Sequence, residues 1–154
     1  MKKTIFTLLS LIVIYLIMVT LDANLKPETT NNQIDIANKY VTKQDLPTPP
    51  KTFYHDGCTS SPDYLLWHDF TEACFNHDIG YWAGGDIALK DQTDLAFRNG
   101  ISETGPLGPI FAFVMYHAVA NFGDNMISHI LGSNWGYGWN LSLIHISEPT
   151  RPSV

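Results

Sequence analysis

Residues 71–85 read TEACFNHDIGYWAGG, and this stretch decides the fold class. We expect it to form a helix that begins near Tyr64 or Phe70 and ends at about Trp82. The expected end rests on Gly84-Gly85, because two consecutive glycines after a helical run are a strong C-terminal signal. His77 and Asp78, two of the candidate functional residues, lie in this helix.

Two further helices are predicted on its C-terminal side. The first begins near Asp86, a suitable N-cap, and ends at about Ile101, so the short Gly-Gly link makes an antiparallel helical hairpin. A third, strongly apolar helix is expected from Ile110 to Leu131. Its apolar stripe repeats at helical spacing and is interpreted as core: Phe111, Val114, Met115, Ala118, Val119 and Phe122. No strand pattern is convincing, and the predicted fold class is therefore mainly α.

The segments that flank this region differ from it in composition. Residues 1–23 carry two lysines followed by a long apolar run, which predicts a signal peptide or an N-terminal membrane anchor. Both interpretations place the remaining chain outside the cytoplasm, either secreted or tethered by the hydrophobic segment. Residues 24–52 are polar and Pro-rich, and we expect a linker that contains one short amphipathic helix.

The other end of the chain resembles a translated sequencing adapter. Leu141 to Arg151 matches the translation of a transposon-end sequencing adapter at every residue. We therefore expect 141–154 to be adapter read-through, with the native sequence interrupted near Asn140. The predicted domain is 53–140. Within it, Trp135-Gly-Tyr-Gly-Trp139 is a turn-rich aromatic segment that either packs on the core or anchors at a lipid interface.

Composition excludes several classes of protein. The chain has 154 residues, which suits one ordinary domain, and its 9 Lys plus Arg against 15 Asp plus Glu give a net charge of −6. A nucleic-acid partner is therefore not expected, nor is electrostatic attraction to anionic membranes. The two cysteines, Cys58 and Cys74, most simply form one disulfide in an exported chain.

The helical hairpin contains a group of ionisable side chains that could catalyse a reaction: His77, Asp78 and Asp94. Asp94 is well placed on the second helix to face the middle of the first, where it could accept the ring N–H of His77. That contact would fix the imidazole tautomer and leave the other nitrogen free as a general base. Asp78 then remains available for a hard cation, together with backbone carbonyls of the Gly57–Ser61 loop.

The combined pattern resembles the secretory phospholipase A2 superfamily, particularly its small prokaryotic and fungal-like members with few disulfides. The family motif Cys-Cys-x-x-His-Asp-x-Cys-Tyr is met by residues 73–81, and Cys-Asp-x-x-Phe by residues 93–97. The Gly-rich calcium loop is met more loosely by residues 56–61. The resemblance covers residues 53–101 and implies a phospholipase A2-like fold.

The resemblance also implies roles for individual residues. His77 is similar to the base that activates water, and Asp94 to its orienting partner. Asp78 resembles the calcium carboxylate, and Tyr81 the structural tyrosine near the pair. The carbonyls expected to complete the Ca²⁺ shell belong to Gly57, Thr59 and Ser61. The implied reaction is calcium-dependent hydrolysis of the sn-2 ester of a phospholipid in a bilayer or micelle.

Two other functions compete with this interpretation. A non-catalytic lipid- or protein-binding module on the same fold is favoured by the loop, which lacks the later glycines of the family. A metal-dependent phosphohydrolase would need additional His and Asp ligands that the sequence does not supply. The presence of His77, Asp78 and Asp94 together favours the esterase.

Overall fold

A computed structural model of the chain describes residues 28–58, 61–124 and 133–139, together with Ser10, Val13, Ile14 and Ile17. The described part is mainly helical, as predicted from the sequence, and contains four helices and one small antiparallel sheet between Asn31 and Phe122. The elements in chain order are α1 (Asn31–Lys43), β1 (Tyr64–Leu65), β2 (His68–Asp69), α2 (Thr71–Ala83), α3 (Ile87–Ser102) and α4 (Gly108–Phe122).

Helix α1 begins with a capping box. The Thr30 side chain accepts a hydrogen bond from the Gln33 backbone N–H, while the Gln33 side chain accepts one from the Thr30 backbone. Its apolar stripe buries Ala37 and Val41 in a cluster with Phe53 and residues of α2. The expected short helix is therefore confirmed, and it belongs to the folded core although the sequence suggested a linker around it.

The region before α2 differs from the prediction at one end. Tyr64 does not begin a helix: it pairs with Asp69 in a two-stranded hairpin whose turn holds Leu66 at φ 58°. The N–H of Thr71 donates to the Asp69 carboxylate at 2.9 Å, so α2 begins at Thr71. An Asx-type contact of this kind separates the hairpin from the helix. The spacing of apolar residues alone does not reveal this boundary.

Helices α2 and α3 form the predicted antiparallel hairpin. Asp86 caps α3 by accepting the Leu89 N–H at 2.9 Å, as the sequence indicated. A Cβ on Gly100 would lie 3.1 Å from Ala73, and one on Gly80 would lie 2.6 Å from Thr93. The contacts thus run in opposite sequence directions, and Gly80 allows the two helices to approach closely beside the chemistry-bearing residues.

Helix α4 is shorter than predicted, and it buries only part of the predicted apolar stripe. It ends at Phe122 and is followed by Gly123, while residues 125–131 lie outside the described part of the chain. Ala112 is buried, and the predicted core residues Phe111, Met115 and Val119 pack against the second core cluster, which confirms this half of the stripe. The predicted core positions Val114, Ala118 and Phe122 are exposed instead. The sequence could not distinguish these faces, because apolar residues surround most of the helix.

The segment 133–139 packs on the end of α2, which confirms the packing interpretation. The N–H groups of Gly136 and Gly138 donate to the carbonyls of Tyr81 and Trp82 at 2.6 and 3.2 Å. The indole of Trp139 donates to the Ala83 carbonyl at 2.8 Å. Carbonyls at the C-terminus of a helix have no partner within the helix, and this aromatic turn supplies partners for several of them.

Two sequence predictions fall largely or wholly on residues that the structure does not describe. Of the N-terminal segment 1–23, only four helical residues are described, and 141–154 lies wholly outside. Among the described residues, no helix combines the length and the apolar character that crossing a bilayer requires.

Candidate active site

The hairpin brings His77 of α2 against Asp94 of α3. Nε2 of His77 lies 3.0 Å from Oδ1 of Asp94, and both residues are buried, with 8% and 2% of their surfaces exposed. Because an ionised carboxylate can only accept, the proton of a neutral imidazole resides on Nε2 and the lone pair on Nδ1. The structure therefore contains the contact predicted from the sequence, in the tautomer that leaves Nδ1 free of a proton.

Two other side chains also donate to Asp94. The Tyr81 hydroxyl donates to Oδ1 at 2.9 Å, and the Lys90 ammonium donates to Oδ2 at 2.8 Å. The expected position of Tyr81 beside the pair is thus observed, whereas Lys90 was not singled out in the sequence. A carboxylate with donors on both oxygens is held in one orientation, and it holds the imidazole in turn.

Burial and hydrogen bonds oppose each other in setting the charges of this cluster. Burial disfavours ionisation of Asp94, but the hydrogen bonds from His77 and Lys90 outweigh it and lower the pKa of the carboxyl. Burial also lowers the pKa of His77, and the Lys90 charge adds to this effect, while Asp94 opposes it. The favoured state is therefore an ionised carboxylate beside a neutral imidazole, which is the state a general base requires.

Aromatic rings enclose the imidazole. The centroids of the Tyr81 and Phe97 rings lie 4.2 and 4.6 Å from that of His77. Burial, followed by the nearby Asp94 carboxylate, raises the pKa of Tyr81, so its hydroxyl remains a donor. Packing on two rings restricts the imidazole to one orientation.

A cavity of about 740 Å³ adjoins the dyad. Helix α1 contributes Ile36 and Tyr40 to its lining, α2 contributes Asn76 and His77, and α3 contributes Phe97. The lining mixes apolar side chains with polar ones, among them the carboxylates of Asp69, Glu72 and Glu103. The base residue therefore lines a space that is large enough for a ligand.

The predicted cation loop is tied to α2 by a disulfide. Cys58 and Cys74 are bonded, as predicted from the sequence. The Cys58 N–H donates to the Asp63 carboxylate at 2.7 Å, and Gly57 adopts a φ of 74°. A Cβ on Gly57 would lie 2.4 Å from Oδ1 of Asp63, so glycine is required where the carboxylate crosses the loop. Thr59, a predicted calcium ligand, lies outside the described residues, whereas Gly57 and Ser61 lie within them.

Asp78 lies near the hydroxyl of Tyr137 together with a second carboxylate. Burial first, and then the charges of Asp78 and Asp56, raise the pKa of Tyr137. The Tyr137 hydroxyl donates to the backbone carbonyl of Tyr54 and lies 3.4 Å from that of Asp78, so the chain just before the loop, α2 and the aromatic turn meet here. Two carboxylates and a loop rich in carbonyls are the oxygen donors that calcium prefers, and these residues fit the ion chemically. Within the described ranges, no three His, Cys, Asp or Glu side chains lie close enough together to hold a metal ion by themselves.

Two residues of this site were missed in the sequence. Asp56 stands next to Gly57 at the start of the loop, and its position beside a predicted carbonyl ligand was the available signal. Lys90 and Asp94 are four residues apart on one helix, which usually indicates an exposed ion pair. Only the burial of Lys90, with 5% of its surface exposed, distinguishes it from such a pair.

Comparison with protein-family models, with curated proteins and with solved structures gave no match to this chain. The site is therefore interpreted from its own geometry and from the motif resemblance.

Proposed function

We propose that this chain is an exported, calcium-dependent phospholipase A2-type esterase that hydrolyses the sn-2 acyl ester of glycerophospholipids. The observation that carries the proposal is the buried hydrogen bond of 3.0 Å between His77 and Asp94 beside a cavity that His77 lines. The arrangement meets two requirements of ester hydrolysis by activated water, namely an oriented base and a space for the substrate.

In the proposed reaction, His77 transfers one proton in two steps, and Asp94 stabilises its charged form. Nδ1 of His77 accepts a proton from water as the water oxygen attacks the ester carbonyl carbon. Asp94 stabilises the resulting imidazolium through Nε2, and its own charge is maintained by the donors Tyr81 and Lys90. The proton on Nδ1 then passes to the departing alkoxide oxygen, so the products are a free fatty acid and a lysophospholipid.

The proposed calcium ligands belong to the loop and to the residue that follows His77. Asp78 follows His77 directly, and Asp56 and the carbonyls of Gly57, Thr59 and Ser61 complete the proposed set. When bound, Ca²⁺ would supply positive charge for the substrate phosphate and for the oxyanion that develops on the ester. The Cys58–Cys74 disulfide supports the set mechanically, because it ties the loop one helical turn before Asp78.

Fatty-acid release from zwitterionic phosphatidylcholine, in vesicles and in micelles, tests the proposal. The His77→Gln variant should lose activity by about 10²- to 10⁴-fold, the usual contribution of a positioned base. The exposed His117 offers a matched control, and His117→Gln should retain wild-type activity. A chelator should abolish release by the wild type, and added calcium should restore it.

Two results would contradict the esterase. Equal, low release by the wild type and by His77→Gln, in calcium and in chelator alike, would show that the dyad does not turn over substrate. Vesicle binding without fatty-acid release would support the alternative of a non-catalytic lipid-binding module.

A further inference from the structure

The hairpin of β1 and β2 carries two large apolar side chains at its tip. Its register pairs Leu65 with His68, so Leu66 and Trp67 form the two-residue turn. Each of these two residues has 67% of its surface exposed. Leu66 also has a φ of 58°, in the left-handed region where such turns usually carry glycine or asparagine. Neither burial nor backbone preference therefore explains a leucine and a tryptophan at this tip.

The base of the hairpin is fixed to the rest of the fold. His68 is completely buried, and its Nδ1 lies 2.9 Å from the hydroxyl oxygen of Thr104, just after α3. The Phe70 N–H donates to the Asp63 carbonyl at 2.8 Å and closes the other side of the base. The two apolar side chains thus project from a firmly held support, which makes the tip a defined feature of the surface.

The charges around the tip indicate which partner it fits. Residues 61–75 contain three carboxylates, those of Asp63, Asp69 and Glu72, and no lysine or arginine. An anionic surface would be repelled here, and so would a second copy that presents the same acidic segment. A zwitterionic bilayer carries no net charge, and tryptophan and tyrosine are enriched at its boundary with water. Tyr64, exposed at 59%, adds a second amphipathic ring beside the tip.

The hairpin also adjoins one end of the cavity that His77 lines. Asp69, the residue after His68, lines that cavity, and so does Thr104, which His68 contacts. A bilayer in contact with the tip would lie next to this end of the cavity. Resting on the proposed function, we propose that the Leu66–Trp67 tip inserts into the surface of a zwitterionic phospholipid bilayer and holds the cavity next to its substrate.

The fluorescence of Trp67 tests this inference in vesicles of phosphatidylcholine. The chain has four tryptophans, so the Trp67 signal is taken as the difference between the wild type and Trp67→Phe, which keeps the tip apolar. We expect phosphatidylcholine with brominated acyl chains to quench Trp67, and the vesicles to protect Trp67 from acrylamide in the water. This signal is local to the tip, so it does not depend on how the N-terminal segment associates with lipid.

Leu66→Asn measures the contribution of one apolar side chain to docking. Asparagine tolerates the left-handed conformation, so the urea midpoint should not decrease. The equilibrium constant for docking, read from the quenched fraction of Trp67, should fall about tenfold when one large apolar side chain no longer enters lipid. The ratio of fatty-acid release from vesicles to release from dispersed short-chain phosphatidylcholine should fall by a similar factor. Ile87→Asn, at an equally exposed position that begins α3, should leave both quantities at their wild-type values.

Several outcomes would overturn the inference. One is a Trp67 that the brominated lipid does not quench and that stays open to acrylamide on vesicles. Another is an equal loss of docking in Leu66→Asn and Ile87→Asn, which would indicate a general effect of surface hydrophobicity. Stronger quenching in phosphatidylglycerol than in phosphatidylcholine would contradict the zwitterionic surface. Protection of Trp67 that increases with protein concentration in the absence of lipid would assign the tip to a second copy instead.

The quenching experiment is independent of the esterase reaction. It needs no turnover, so His77→Gln should show wild-type quenching of Trp67. A wild type that releases no fatty acid would contradict the proposed function, while the quenching would still decide whether the tip docks on a bilayer.

Discussion

The Cys58–Cys74 disulfide should account for a large share of the stability of this protein. The two residues are 16 positions apart, and both side chains are almost fully buried. In the chain-entropy model, a loop of this length restricts the unfolded chain by about 3 kcal/mol. The variant Cys58→Ala/Cys74→Ala should therefore lower the free energy of unfolding by about that amount.

The same value predicts a shift in melting temperature. For a folded unit of about 110 residues, the entropy of unfolding makes 3 kcal/mol equivalent to about 13 °C. Urea denaturation gives the free energy, and calorimetry gives the melting temperature. Reductant should lower the stability of the wild type toward that of the double variant, which itself should not respond to reductant.

The disulfide should also affect the proposed reaction. Because it ties the loop at Gly57 to α2, its loss should raise the calcium concentration for half-maximal fatty-acid release more than it lowers the maximal rate. Two free thiols titrated in the oxidised, unfolded wild type would refute the reasoning. A double variant within about 0.5 kcal/mol of the wild type would refute the assigned magnitude.

Three further predictions concern the helical hairpin. Gly80→Ala should lower the free energy of unfolding by about 1–3 kcal/mol, because its Cβ would lie 2.6 Å from Thr93. The added substitution Thr93→Ala should recover part of this free energy in urea denaturation. Additive losses in the double variant would contradict the explanation. Tyr81→Phe should lower the free energy of unfolding by about 1.5–3 kcal/mol, because it removes the hydroxyl that donates to the Asp94 carboxylate at 2.9 Å. An unchanged urea midpoint would show that this hydrogen bond does not stabilise the protein. Because burial lowers the pKa of His77 in the folded state, the unfolded chain binds more protons just below the ordinary histidine pKa of about 6.5. The free energy of unfolding should therefore decrease as the pH is lowered through this range, by up to about 1.4 kcal/mol per pH unit. His77→Gln should flatten this part of the stability profile, and a wild type whose stability is constant between pH 6.5 and 5 would disprove the expectation.

Local signals determined most of the helices. The Thr30 capping box, the Asp86 N-cap and the Gly84-Gly85 stop are interactions between residues close in sequence, so their outcome did not depend on the rest of the chain. Spacing along two such helices also sufficed to pair His77 with Asp94, because a two-glycine link leaves an antiparallel hairpin few alternatives. The pairing of Cys58 with Cys74 followed from there being only two cysteines.

The tertiary structure decided what depends on contacts distant in sequence. The buried face of α4 was predicted only in part, because a helix that is apolar almost all round has no preferred inner face until a neighbour covers one. The role of the aromatic turn at 133–139 depended on the free carbonyls of α2, about fifty residues earlier. The most consequential case is Lys90: the spacing to Asp94 is that of an ordinary surface pair, and burial between helices alone places its charge in the candidate active site.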